Sequence, residues 1–298
     1  MTNEQATNNK IGKMNLWQWI KEYSILIKPR QTALLMVTGW AGFSSARCPV
    51  VGWELSLAIL GSLFLAIGGC TIFNMVFDKD IDTIMGRTKK RPLSTGTISV
   101  PNALLVASIM SGLGVGWAFT IDILYGWIIL AGLFIDAVIY TIVLKRVTPY
   151  SIIWGGISGG MPILAGRALG VGQIDLIGIL LALAILLWIP THILTFTIKY
   201  EDQYAAAGIP TFPSAYGVDV TRKIIAWSTV LSSFAMITAA RLVEVQGYFL
   251  IFLILFSIGL IILSTVMVYR KSFKLNFSLF KLASVYMLGS MLLLIFAL

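Results

Sequence analysis

The sequence predicts an all-α, polytopic membrane protein with about nine transmembrane helices bundled around a central cavity. Hydrophobic residues make up 58% of the 298 positions and charged residues only 12%. The mean hydropathy of +0.89 is far above that of a soluble globular domain. Long apolar runs recur along the whole chain, each close to the roughly 20 residues that a helix needs to cross the hydrocarbon core. They lack the period-2 alternation, in segments of about ten residues, that marks an outer-membrane barrel.

In chain order, residues 1-20 form a polar lead that is expected to be disordered, and its start, MTNEQATNNKIGKMN, has neither the apolar core nor the cleavage site of a signal peptide. The first expected span, 24-45, then acts as an uncleaved insertion signal. Cys48 near its outer end and Cys70 within the second span, 53-78, form neither a CxxC nor a metal-ligand spacing and are given no role. A charged connection at 79-101 leads to spans at 102-121 and 124-144; the latter carries Asp136 and Tyr140 and ends on Lys145 and Arg146. The fifth span, 150-170, holds Gly155, Gly156, Gly159 and Gly160, a spacing suited to close helix packing. The sixth, 174-198, carries Pro190 and the single histidine, His192. A second connection, 199-222, is broken by Gly208, Pro210, Pro213 and Gly217 and precedes spans at 223-243, 247-269 and 278-298. Residues 21-298 thus read as one transmembrane domain, with function inside the bundle or at its charged mouth.

The formal charge of +9 would suit nucleic acid, but its distribution reads as topology, and no nucleic-acid partner is expected. With a cytoplasmic N-terminus, all of the 22 Lys and Arg except Arg47, Arg167 and Arg241 fall on the cytoplasmic side, as the positive-inside rule expects. The C-terminus is then outside, in a multi-pass protein of the cell membrane.

The chemistry concentrates in NMVFDKDIDTIMGRTKKRPLSTG, residues 74-96. Asn74, Asp78 and Asp82 are spaced i, i+4, i+8 and share one helix face. Such a stripe of oxygen ligands near a membrane surface suits a hard divalent cation such as Mg2+, which completes its shell with waters and phosphate oxygens. Asp80 lies off this face and reads as solvent-facing. Ionisable residues in a membrane helix are costly and mark function, so a merely solvated helix end is the weaker reading. The cations that follow fit a diphosphate clamp, with Arg87 or Arg91 as bidentate donors and lysines as point charges. Lys89 and Lys90 fit that role or ordinary contact with lipid headgroups. Asp136 faces either a water-filled interior or a neighbouring helix through a structural hydrogen bond.

NMVFDKDID resembles the NxxxDxxxD signature of the UbiA-type intramembrane prenyltransferases, and DTIMGRTKKRPLSTG resembles the longer form in the protoheme IX farnesyltransferase, or haem O synthase, branch. IKPRQTALLMVTGWAG at 27-42, YTIVLKRVTPYSIIWGGISGGMPILAGRAL at 140-169 and WIPTHILTFTIKYEDQYAAAGIPTFPSAYG at 188-217 resemble the same branch, so the similarity covers most of the chain. The resemblance implies transfer of a farnesyl or related polyprenyl group from its diphosphate to a vinyl group of protoheme IX. It implies Mg2+ on Asn74, Asp78 and Asp82, with Asp202 joining these as a catalytic residue. Arg87, Lys89, Arg91, Lys145, Arg146 and Lys199 are then expected on the diphosphate, and His192 and Tyr204 on the haem. His192 would ligate the iron or orient a propionate or a proton. The superfamily's second DxxxD is missing, since Asp202 is followed four residues on by Ala206, so the second site is built from Glu201, Asp202, Tyr204 and Lys199. An aromatic or polar-lipid acceptor is the nearest alternative. A cation-coupled transporter is the alternative of another class, and the Arg/Lys cluster beside the acids weighs against it.

Overall fold

Residues 15-47, 52-245 and 247-296 are described by the structure, a computed structural model; residues 1-14 and Cys48 lie outside them. Among the described residues the chain is helical with no strand. Helix α1, Leu16–Ile27, makes the lead expected over 1-20 helical from Leu16. The Asn15 side chain accepts from the Gln18 N–H at 2.9 Å, and the Gln18 side-chain oxygen accepts from the Asn15 N–H at 3.0 Å, satisfying donors that a helix start otherwise leaves open. Lys28 then takes left-handed dihedrals (φ 51, ψ 69), and Pro29 opens α2, Pro29–Ser44. Helix α3, Trp53–Phe77, passes through a bend at Asp78 into the short α4, Lys79–Ile84.

After the first connection come α5, Val100–Ile121, and α6, Ile123–Phe134, which continues as a π-helix, Ile135–Leu144. Helices α7, Ser151–Val171, and α8, Leu176–Lys199, follow. Two short helices, α9 (Glu201–Ala206) and α10 (Phe212–Tyr216), occupy the second connection. The chain ends with α11, Val218–Leu242, α12, Tyr248–Tyr269, and α13, Phe273–Phe296. Among the described residues, 7 helical stretches are long and apolar enough to cross a membrane. The other two expected spans fall on α2, 16 residues long, and on α7, diluted by Gly155, Gly156, Gly159, Gly160 and Gly166. This is a multi-pass membrane protein.

Two apolar cores flank the central pair α2 and α7. One joins Ile59 and Leu63 of α3 to Ala118, Tyr125, Ile129 and Ala165. The other joins Leu181 and Ile185 of α8 to Met236, Leu260, Leu279 and Met287. The central pair touches backbone to backbone: a Cβ on Gly166 would collide with the Gly39 carbonyl oxygen. Gly160 likewise meets α8, where an added Cβ would lie 2.9 Å from the Ala182 carbonyl oxygen, the small-residue packing expected of this span.

The π-helix positions the site. Asp136 and Lys145 are nine residues apart, and at about 100° per residue an α-helix would set them on opposite faces. The i→i+5 pairing, as in Lys145 N–H to the Tyr140 carbonyl oxygen at 2.8 Å, widens each turn, and two such turns bring both side chains round to α3.

Candidate active site

The expected face on α3 survives the bend at Asp78, because the i→i+4 bonds run through it: Asp78 N–H to Asn74 O at 3.0 Å and Asp82 N–H to Asp78 O at 2.8 Å. Asp78 and Asp82 are buried at 8% and 4% exposure. Each carboxylate is held by one cation. Lys145 Nζ donates to Asp78 Oδ2, and Arg91 Nη1 donates to Asp82 Oδ2 at 2.6 Å. The second Asp78 oxygen, Oδ1, is buried with no hydrogen-bond partner. A carboxylate oxygen left so in an apolar bundle is expensive and suits coordination to a divalent cation. No group of three or more His, Cys, Asp or Glu gathers among the described residues, so a cation here would take few protein ligands. That is the habit of Mg2+ when phosphate oxygens and waters complete its shell.

Asn74 turns to a deeper cluster. Its Nδ2 donates to Asp136 Oδ2 at 2.5 Å, and Thr141 Oγ1 lies 2.9 Å from its Oδ1. Cys70 Sγ, 3.2 Å from Asp136 Oδ2, and Ser158 Oγ, 3.1 Å from Oδ1, complete the shell of Asp136. Three elements, α3, the π-helix and α7, thus meet on one carboxylate inside the bundle. The structural hydrogen bond considered for Asp136 is present, and it is made to a residue expected at the metal. Asn74 keeps a lone pair on Oδ1 but is held one turn below Asp78.

Arg146, expected on the diphosphate, donates from Nη1 and Nη2 to both oxygens of Asp80 at 2.6 Å and from Nη2 to the Phe77 carbonyl oxygen at 2.6 Å. Asp80 points to the exterior as expected, and its bidentate bond to Arg146 holds its carboxyl well below its ordinary value, at about 2. Lys145 faces inward and its neighbour Arg146 outward.

The two connections close over this end together. Ile81 and Met85 of the first pack on Tyr204, Ala207 and Ile209 of the second. The Arg87 guanidinium lies 4.8 Å from the Phe196 ring centroid and 5.9 Å from that of Tyr200, a cation–π seat on the end of α8. Gln203 Oε1 is another buried acceptor without a partner, on the turn of α9 that faces Gly86. Tyr204 lies in the electrostatic reach of Lys145 and Tyr140. It therefore belongs with the Asp78 cluster and has different neighbours from His192. Asp202, Lys89 and Lys90 are exposed. Lys199 Nζ sits 4.1 Å from the Phe277 centroid. His192 is half-buried, stacked on Trp188 and Phe280 with centroids at 4.7 Å and 4.5 Å, and Ser284 Oγ lies 3.2 Å from its Nδ1.

Sequence reasoning missed Lys28, which lies in the field of Asp78, Asp136, Arg91 and Lys145. The signal the sequence carries for it is a cation inside an apolar run, directly before a proline, a pattern that also fits topology. It also missed Cys70 and Gln203, whose residue types carry no motif.

Residues 34–285 match the UbiA prenyltransferase family. The protoheme IX farnesyltransferase of Pyrobaculum arsenaticum is 39% identical over 218 residues, 72% of this chain and 77% of that protein. Among solved structures, digeranylgeranylglyceryl phosphate synthase superposes with a TM-score of 0.78 at 20% identity, over 93% of this chain and 98% of that one. A UbiA homolog from Archaeoglobus fulgidus bound to GPP and Mg2+ superposes with a TM-score of 0.67 at 15% identity, over 92% and 99%. At those identities the structures speak to the fold, and together with the match over 34–285 they place this all-α bundle: the chain belongs to the UbiA prenyltransferase family.

Proposed function

We propose that the chain transfers a farnesyl group from farnesyl diphosphate to a vinyl group of protoheme IX, giving haem O and diphosphate. The observation that carries the donor half is the pair of buried carboxylates, Asp78 and Asp82, each on one cation and one of them with an unpartnered oxygen. The acceptor half is supported by the resemblance to protoheme IX farnesyltransferases. Asp78 and Asp82, with Asn74 one turn below, are the residues that would hold Mg2+. The ion would neutralise phosphate oxygens and stabilise the leaving diphosphate.

Lys145 and Arg91 stand ready beside those carboxylates to take phosphate oxygens, and Arg87 reaches the same mouth from above α8. As the C1–O bond of the donor breaks, these cations stabilise the charge that collects on the diphosphate. The allylic cation left behind is shielded by the apolar walls and by aromatic faces that stabilise positive charge. The vinyl π-electrons form the new C–C bond, the porphyrin-side carbon becomes cationic, and water adds there with release of a proton. Packing of Ile81 and Met85 on Tyr204 and Ile209 closes the mouth and keeps water from the first cation. The charged end, with its excess of Lys and Arg, is the cytoplasmic side, which leaves the N-terminus inside and the C-terminus outside.

The test is to incubate purified protein with Mg2+, farnesyl diphosphate and haem, extract the porphyrin and weigh it. A mass gain of one farnesyl group plus one hydroxyl group, with release of diphosphate, is the expected result. An unchanged haem alongside a prenylated quinone precursor or lipid would overturn the acceptor.

A further inference from the structure

We infer that Asp136 is a positioning residue for the cation site: its carboxylate takes the NH2 end of the Asn74 amide and so turns the carbonyl oxygen, Oδ1, toward the cation. This rests on the proposed reading of Asn74, Asp78 and Asp82 as the residues that would hold Mg2+, and it adds the group that orients one of them. Helix α3 and the π-helix run side by side in the same direction, joined by three rungs. Cys70 Sγ lies on Asp136 Oδ2, Asn74 bonds to Asp136 and Thr141, and Lys145 donates to Asp78. On α3 the rungs are four residues apart and share one face. On the π-helix they step from 136 to 141 to 145, which its widened turns keep on one face.

A carboxylate within a membrane helix is costly, and both oxygens of this one are occupied. Oδ2 takes Asn74 Nδ2 at 2.5 Å and Cys70 Sγ at 3.2 Å, and Oδ1 takes Ser158 Oγ at 3.1 Å. Its oxygens therefore serve side chains, and the cation is left to the face of Asn74, Asp78 and Asp82. What a carboxylate offers here, and an amide or hydroxyl does not, is that it only accepts hydrogen bonds.

The Asn74 amide can sit either way round, and its neighbours decide which. Reversing it would press its carbonyl oxygen against Asp136 Oδ2 at 2.5 Å, two negative oxygens in contact inside the bundle. Nδ2 therefore stays on Asp136. Oδ1 lies on the Thr141 side, from which the next rung leads to Lys145 and Asp78. The Thr141 hydroxyl has one proton and two acceptors, the Asp136 carbonyl oxygen at 2.8 Å and Asn74 Oδ1 at 2.9 Å. Oδ1 thus keeps at least one lone pair open to a cation. Asparagine at 136 would fill the same space but could donate or accept, and Asn74 would then populate both orientations, one of them turning an N–H to the cation.

The test is Mn2+ binding, read as loss of the free-ion EPR signal. It uses the purified full-length protein in nanodiscs with farnesyl diphosphate and no haem, against empty nanodiscs with the same diphosphate. Asp136→Asn should weaken Mn2+ binding about tenfold. Asn74→Ala should weaken it at least as much, and Asp136→Asn added to Asn74→Ala should have no further effect, because no amide is left to orient. The exchange variant, Asn74→Asp with Asp136→Asn, returns one carboxylate and one amide to the same contact, with the amide now donating from 136. It should bind Mn2+ at least as tightly as the wild type. Equal losses from Asp136→Asn with and without Asn74→Ala would overturn the inference, as would no loss where Asn74→Ala does weaken the ion; in both cases the proposed metal site stands. If Asp136→Asn does not fold, the exchange variant decides, and an affinity no better than that of Asn74→Ala overturns the inference. An affinity unchanged in Asn74→Ala overturns it too, and one unchanged in Asp78→Asn as well takes the proposed metal site with it.

Discussion

Lys145, at the end of the π-helix, donates to one oxygen of Asp78, at the end of α3, while the other oxygen of that carboxylate is buried and unpaired. The lysine holds the anion in place and leaves its free oxygen for a cation. Asp78→Asn keeps the shape, removes the charge and strands the Lys145 ammonium. Farnesyl transfer should fall at least about a hundredfold, and extra Mg2+ should not restore it. Recovery of the wild-type rate at saturating Mg2+ would mean that Asp78 is only a partner for Lys145.

Arg87 is exposed, yet its guanidinium is seated on Phe196 and Tyr200. A planar fork can stack on a ring and still present paired N–H groups to phosphate oxygens, which an ammonium cannot do. Arg87→Lys should therefore lower kcat/KM for the prenyl diphosphate by about tenfold, while Lys89→Arg should stay near wild type. Equal losses in the two variants would show that only net charge counts at this mouth.

Lys28 holds a left-handed backbone that costs a residue with a side chain roughly 1–2 kcal/mol, and it does so within the electrostatic reach of Asp78, Asp136, Arg91 and Lys145. Strain kept at such a place points to a positioning role for the charge. Lys28→Gly relieves the strain and removes the cation. The expected outcome is a thermal midpoint no lower than wild type with a KM for the diphosphate raised about tenfold. A lowered midpoint with an unchanged KM would make Lys28 a structural residue.

The spans and the Asn74, Asp78, Asp82 face were legible because both are properties of a single helix, carried by apolar length and by i+4 spacing. Lys145 and Arg146 could not be told apart in the sequence, where both are cations at a helix end. Only the π register turns Lys145 to Asp78 and leaves Arg146 to Asp80. Tyr204 and His192 share the 188-217 segment of the sequence, but the fold sends Tyr204 to Ile81 and Met85 and His192 to Phe280. Asn74 gave the right position and half the role, since its amide serves Asp136. Such partnerships depend on which helices become neighbours, and one helix's periodicity carries no record of that.

The Asp80 and Arg146 pair gives a pH test of that division. The two bonds from Arg146 hold the Asp80 carboxyl at about 2, below the 3.8 it has when free. A carboxylate with a lowered folded value stabilises the fold above its unfolded value, and the contribution is lost as pH falls from about 4 toward 2. Asp80 is 63% exposed and its partner 42%, so the pair contributes less than about 1 kcal/mol. Asp80→Asn should lower the thermal midpoint slightly at pH 7, and the gap should shrink as pH falls below about 4, where the wild-type carboxyl also loses its charge. With Arg146 turned outward, Arg146→Gln should cost far less farnesyl transfer than Lys145→Gln, whose ammonium lies on Asp78. A thermal gap that widens toward low pH would refute the ion pair, and equal losses of transfer would put Arg146 back on the diphosphate.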